Sequence, residues 1–233
     1  MSGNDLTRKG DGDVAAFLEE VRRLPARPEA VGGCGRLIFA LDATASREPA
    51  WDRACDVQAS MFLEAERLGG LDVQLVYYRG FGECRASRWV GQPSELVRLM
   101  RSVRCVAGRT QIARVLRHAV GETERERVHA LAFVGDAMEE NVDELGRLAG
   151  ELGLRGVRAF LFHEGDDPAA VRAFRQIATL TGGACCRFDS GAPAQLRELL
   201  RAVSAYAAGG VAALQELARR EQGAVRLIAS QVR

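Results

Sequence analysis

Lysine is almost missing from this chain: Lys9 is the only one among 32 basic residues, and the rest are arginine. That scarcity excludes a phosphate-binding loop, whose lysine must reach the phosphates, and a pyridoxal Schiff base, which needs a lysine amine. Histidine is also rare, and His118, His129 and His163 lack the spacing of zinc ligands. His118 and His129 read as surface or packing residues. The six cysteines, Cys34, Cys55, Cys84, Cys105, Cys185 and Cys186, contain no Cys-x-x-Cys pair. The vicinal Cys185–Cys186 pair is badly placed for a structural disulfide, so reduced thiols are expected. A nucleophile at Cys185 or Cys186 served by His163 is set aside, because buried cysteines are far commoner than reactive ones. Charge of either sign is not in excess: 32 Lys and Arg face 31 Asp and Glu, a formal net charge of +1. That balance offers no general argument for nucleic acid or an anionic membrane. No run is long and apolar enough to span a bilayer, and Met1 to Gly10 holds no apolar leader segment, so a soluble, cytoplasmic protein is expected.

What is present is an alternation of apolar runs with amphipathic stretches over 233 residues, enough for one α/β domain with short extensions. Residues 1–35 read as an N-terminal extension. In it Val14, Phe17, Leu18, Val21 and Leu24 recur at helical spacing before Pro25, and a glycine-bearing linker follows. Gly32-Gly33-Cys34-Gly35 precedes a strand, whereas a dinucleotide-binding glycine loop follows one, so it is discarded as a cofactor motif. Residues 36–208 form the expected domain. Strands are expected at Leu37–Leu41, Val73–Tyr78, Cys84–Val90, Val128–Val134, Val157–Phe162 and Ala184–Phe188. Helices are expected between Pro49 and Leu68, over Pro93–Val103, and through Ile112–Ala119, Val142–Leu152, Val171–Leu180 and Leu196–Val203. The segment Arg79-Gly80-Phe81-Gly82 is too short for a crossover, so the third strand must run antiparallel to the second. The fold class that follows is α/β: a Rossmann-like, open, mostly parallel six-stranded sheet with one antiparallel edge strand and helices on both faces. Residues 209–233 read as a tail with a helical pattern around Leu214 and Leu217 and an apolar run from Val225 to Ile228.

The oxygen-bearing residues fall at strand ends. Leu37–Leu41 runs into Asp42-Ala43-Thr44-Ala45-Ser46, and Val128–Val134 runs into Gly135-Asp136. Thr110 sits in the loop before the helix of Ile112. Ligands of open α/β sheets gather beyond the carboxyl ends of strands, and a cluster of carboxylate and hydroxyl oxygens suits a hard cation such as Mg²⁺. Taken singly, each of these residues reads as well as a helix cap.

The set, in this order, resembles the von Willebrand factor type A (VWA) domain with its metal-ion-dependent adhesion site (MIDAS), and in particular intracellular bacterial members. That site is written Asp-x-Ser-x-Ser, then a loop Thr, then an Asp ending the fourth strand. Thr44 replaces the usual serine, and Ala137-Met138-Glu139-Glu140 replaces the usual small turn, placing Glu139 and Glu140 near the site. The resemblance implies a non-enzymatic protein-protein interaction module. Thr44 and Ser46 would ligate Mg²⁺, or else Mn²⁺ or Ca²⁺, directly. Asp42 and Asp136 would hold its water shell, and Thr110 would ligate it directly or through water. A Glu or Asp of another protein, such as a component of an ATPase or chaperone assembly, would take the open position, with no nucleic acid or membrane involved. The alternative is a haloacid-dehalogenase-like, Mg-dependent phosphotransferase with Asp42 as nucleophile. It is opposed by Thr44, where a second Asp is wanted, and by the missing core lysine.

Overall fold

The computed structural model of the chain describes residues 34–45, 68, 70–189 and 193–232. The expected helix at Val14–Leu24, its linker, most of the helix between Pro49 and Leu68, and the residues Ser46, Trp51 and Cys55 lie outside the described residues.

Six strands form one sheet in the order β3-β2-β1-β4-β5-β6. They are β1 (Gly35–Asp42), β2 (Leu71–Arg79), β3 (Glu83–Val90), β4 (Ala130–Gly135), β5 (Arg158–His163) and β6 (Ala184–Arg187). All neighbours pair in parallel except β2 and β3. The expected antiparallel hairpin and mostly parallel sheet are therefore found. Every residue of β1 is buried, as a central parallel strand covered on both faces requires. Alternation then sorts the side chains. Leu37, Phe39 and Leu41 enter one core with α1 (Pro93–Arg101), α5 (Pro193–Arg220) and α6 (Ala224–Gln231). Ile38 and Ala40 enter the other with α2 (Ile112–Arg125), α3 (Val142–Leu154) and α4 (Pro168–Thr181).

Local chemistry sets the helix ends. The Asn141 side chain accepts the N–H groups of Asp143 and Glu144 at the start of α3. Asp167 does the same for Ala169 at the start of α4, where Pro168 occupies the first turn. Helix α5 bends at Gly209 and Gly210, and Gly210 adopts φ 66°, ψ −161°, which favours glycine. Beyond the bend the segment expected as a tail stays helical, and its Leu214, Leu217, Val225 and Ile228 join the same core as β1. Gly35, in the glycine run discarded as a cofactor motif, serves packing: a Cβ there would lie 2.5 Å from the Ala207 carbonyl oxygen.

Where the parallel strands begin, the polar side chains are paired. Trp89 Nε1–H donates to Glu122 Oε2 at 2.9 Å, and Arg125 bridges the other Glu122 oxygen at 2.8 Å. The Arg36 guanidinium lies 3.9 Å from the centroid of the Trp89 ring and 2.8 Å from Glu126. Gln74 donates to the Ser87 carbonyl and meets His118 Nε2 at 2.8 Å, while His129 Nδ1 accepts the Arg36 N–H at 3.0 Å. The expectation that His118 and His129 are packing residues agrees with these contacts.

Candidate functional site

The register of the parallel strands builds the site. Pairing of Leu41 with Val134 brings β1 and β4 to the same level, so Asp42 and Asp136 emerge beside each other at adjacent strand ends. Tyr78, opposite Asp42 in β2, donates its hydroxyl proton to Asp42 Oδ2 at 3.0 Å, and the Thr44 N–H donates to Oδ1 at 2.8 Å. Burial nevertheless raises the Asp42 pKa. The hydrogen bonds from Thr44 and Tyr78 oppose the shift, and the Asp136 carboxylate adds to it. Tyr78 is pushed well above its ordinary value by burial first, then by the charges of Asp42, Glu140 and Asp136. The charges that reach Asp42 and Tyr78 are thus carboxylates.

Thr110, buried like Thr44, arrives on the loop between α1 and α2. That loop is fixed to β1 and to the β2–β3 turn. Val106 N–H donates to the Ala43 carbonyl at 3.0 Å, and Arg109 N–H to the Gly80 carbonyl at 3.1 Å. Gly108 packs so close to Gly80 that a Cβ would sit 2.1 Å from its oxygen. The connection from β4 to α3 closes over the same loop. Glu139 N–H donates to Thr110 Oγ1 at 3.1 Å, while the Thr110 N–H donates back to Glu139 Oε2 at 3.3 Å. The Glu140 carboxylate accepts the N–H groups of Ile112 and Ala113 at 2.5 and 2.9 Å. Gln111, at the cap position of α2, turns its amide to the Arg79 and Gly80 carbonyls, so Glu140 caps the helix from outside.

Of the five residues expected to hold a cation, Asp42, Thr44, Thr110 and Asp136 come together at this end of the sheet; Ser46 lies outside the described residues. One contributor, Tyr78, escaped the sequence reading, and two others, Glu139 and Glu140, were given no defined role by it. Tyr78 sits in an apolar strand, and its one signal was a tyrosine hydroxyl near the end of a buried strand, which needs a partner. Glu139 and Glu140 were expected only to lie near the site, whereas they tie its two loops together. In the Cys/His grouping set aside from sequence, burial raises the thiols of Cys185 and Cys186 to about 11 and about 12, which favours the protonated, less reactive form. His163, at the end of β5 opposite Gly135, packs edge-on against Phe174 at 5.7 Å with neither ring nitrogen in a well-formed hydrogen bond. Burial lowers its pKa against the opposing charges of Asp167 and Asp136.

Among the described residues, no three His, Cys, Asp or Glu side chains converge to hold a metal by themselves. The donors are instead two carboxylates with hydroxyls, a set that fits a hard divalent cation with water in its shell. The repulsion between Asp42 and Asp136 is what such a cation would relieve.

No protein-family model matches the chain, and no curated protein matches it in sequence. Solved structures do share its fold. A von Willebrand factor type A protein from Catenulispora acidiphila superposes with TM-score 0.60 at 16% identity, over 76% of this chain and 43% of that one. The SpRpn10 VWA domain gives 0.55 at 11% identity, over 70% and 95%. Proximal thread matrix protein 1 from the mussel byssus, with zinc occupying its MIDAS motif, gives 0.57 at 16% identity, over 75% and 47%. The chain therefore spans less than half the length of the first and third of these proteins. The sheet order, the single antiparallel strand and these likenesses agree: this chain has the VWA fold.

Proposed function

We propose that the chain is a metal-dependent protein-interaction module of the MIDAS type. Asp42, Thr44, Ser46, Thr110 and Asp136 hold a divalent cation, Mg²⁺ first, and an acidic side chain of a partner protein completes its coordination. The observation that carries this reading is the meeting of Asp42 and Asp136 at adjacent strand ends, with the buried hydroxyl residues Thr44 and Thr110 beside them. Two carboxylates balance one divalent ion, and weak hydroxyl donors leave it electrophilic toward an incoming carboxylate. When bound, the ion supplies recognition, with no bond made or broken. The chain's own residues supply the frame: Tyr78 and the Thr44 N–H fix both oxygens of Asp42, and Glu139 and Glu140 fix Thr110 and the start of α2. Because both Asp42 oxygens are engaged, the carboxylate is better placed to orient a water shell than to attack phosphorus, which supports this reading over the phosphotransferase. The partner is another protein, such as part of an ATPase or chaperone complex, and the setting is the cytoplasm; no described helix is long and apolar enough to cross a membrane.

The test is calorimetry with Mg²⁺, Mn²⁺ and Zn²⁺ on the native chain and on Asp42→Ala. Binding to the native chain that the variant lacks is expected, and equal heats would overturn the site. Turnover of a generic phosphomonoester with Mg²⁺ would favour the enzyme.

A further inference from the structure

Phe81 stands at the tip of the β2–β3 hairpin with 84% of its surface exposed, more than any other large apolar residue described, and Val106 beside it is 46% exposed. Single apolar residues on a surface are ordinary. These two differ in how they are held and where. The hairpin tip is tied on every side. Arg79 forks onto Glu83 and donates to the Arg104 carbonyl, and Arg114 donates to the Gly82 carbonyl. Gln111 holds the Arg79 and Gly80 carbonyls, and the Gly80 N–H reaches the Val106 carbonyl at 3.5 Å. Val106 in turn donates to the carbonyl of Ala43, the residue between Asp42 and Thr44. Phe81 and Val106 are thus rigid parts of the rim of the cation site, and a partner that covers them has little chain entropy to remove on this side. The exposed side chains of Arg104 and Arg109, on the same loop, form no ion pair with a described residue. Exposed arginines on the loop that carries Thr110 complement an acidic ligand.

Resting on the cation reading above, we propose that this rim is the docking surface for an extended acidic segment of another protein. One carboxylate of that segment reaches the cation, and a bulky apolar side chain nearby covers Phe81 and Val106. The path from Thr44 through Ala43, Val106 and Gly80 to Phe81 has two steps along the chain at about 3.8 Å and two across hydrogen-bonded backbones at about 4.8 Å, so about five residues of extended chain at roughly 3.3 Å each span it. The apolar residue therefore lies within that distance of the acidic one. Rigid aromatic anchors flanked by arginine are the usual seat of binding energy at interfaces.

A phage-displayed peptide library with one central Glu and randomised flanks, selected on the Mg²⁺-loaded full chain and eluted with EDTA, tests this. Enriched peptides should carry Phe, Leu, Met or Trp within about five residues of the Glu. Their affinity should fall about tenfold or more with Phe81→Asp and by a smaller factor with Arg109→Glu. Both side chains are exposed, so the variants keep the fold, and Mg²⁺ calorimetry on each variant reads the cation site separately from the peptide. EDTA-released peptides with no apolar preference, or with affinity unchanged by Phe81→Asp, would overturn the docking surface and leave the cation site standing. No Mg²⁺ heat and no EDTA-released peptide would overturn both.

Discussion

Glu122, where the parallel strands begin, accepts a hydrogen bond from the Trp89 N–H and pairs with Arg125, while Asp42, where they end, feels the charge of the Asp136 carboxylate. Both ends sit on the same sheet, and both carry buried titratable groups. At the first, charges and donors are matched within the chain, which lowers the Glu122 pKa. At the second, burial raises the Asp42 pKa and the neighbouring Asp136 carboxylate adds to the rise, while backbone and hydroxyl hydrogen bonds hold the carboxylate in place. A paired network serves the fold, whereas a cluster of like charge weakens the free protein and is justified by what it binds.

The largest effect that can break this contrast is expected at the paired end. Glu122→Ala strands the Trp89 N–H and removes an acceptor of the buried Gln74 amide, while the exposed Arg125 stays solvated, and should cost about 3 kcal/mol by urea denaturation, with Mg²⁺ heat unchanged. A cost near zero would mean that this network is not structural. Next, Mg²⁺ at about 100 times its dissociation constant should stabilise the native chain by about 2.7 kcal/mol in the same assay. Glu122→Ala should retain that gain, and Asp42→Ala should lose it. Glu140→Ala removes the outside cap of α2 and should cost about 1–2 kcal/mol. It should also weaken Mg²⁺ binding, because Thr110 is fixed through the same loop. Unchanged metal affinity would separate Thr110 from the site.

The smallest effects are in pH, and they have opposite signs at the two ends. Burial depresses His129 from 6.5 to about 4, so the unfolded chain binds the extra proton. Its contribution to stability is present above pH 6.5 and declines as pH falls toward 4. Asp42 is raised, so its native form binds the extra proton; its contribution is present below the unfolded value of 3.8 and is lost as pH rises through the folded value. Asp42→Asn should remove that second slope from metal-free denaturation curves, and His129→Gln the first. Mg²⁺ affinity should be weaker at pH 5 than at pH 7, because the carboxylates must be ionised to hold the ion.

Much of this was legible in the residues. The apolar run of β1, the short Gly80–Gly82 turn and the glycine-closed helices encode the sheet and its single antiparallel strand, since strand burial and crossover length are local properties. Asp42, Thr44, Thr110 and Asp136 could be picked out because each follows a strand or opens a helix. Tyr78 could not, because nothing in an apolar strand says which hydroxyl meets a carboxylate. Glu140 could not either, for its partners are backbone N–H groups 27 and 28 residues away. The rim at Phe81 was equally hidden, since exposure belongs to the folded surface.

By itself the sequence determined that this is a mostly parallel α/β sheet with oxygen side chains at two strand ends, because periodicity, turn length and burial pattern act over a few residues. Only the tertiary structure decided that those two ends are neighbours, that Tyr78 holds Asp42 while Glu140 caps α2, and that the opposite end pairs Glu122 with Trp89 and Arg125. Parallel pairing and register join residues some ninety positions apart, as Leu41 and Val134 are joined, and no local pattern carries that information.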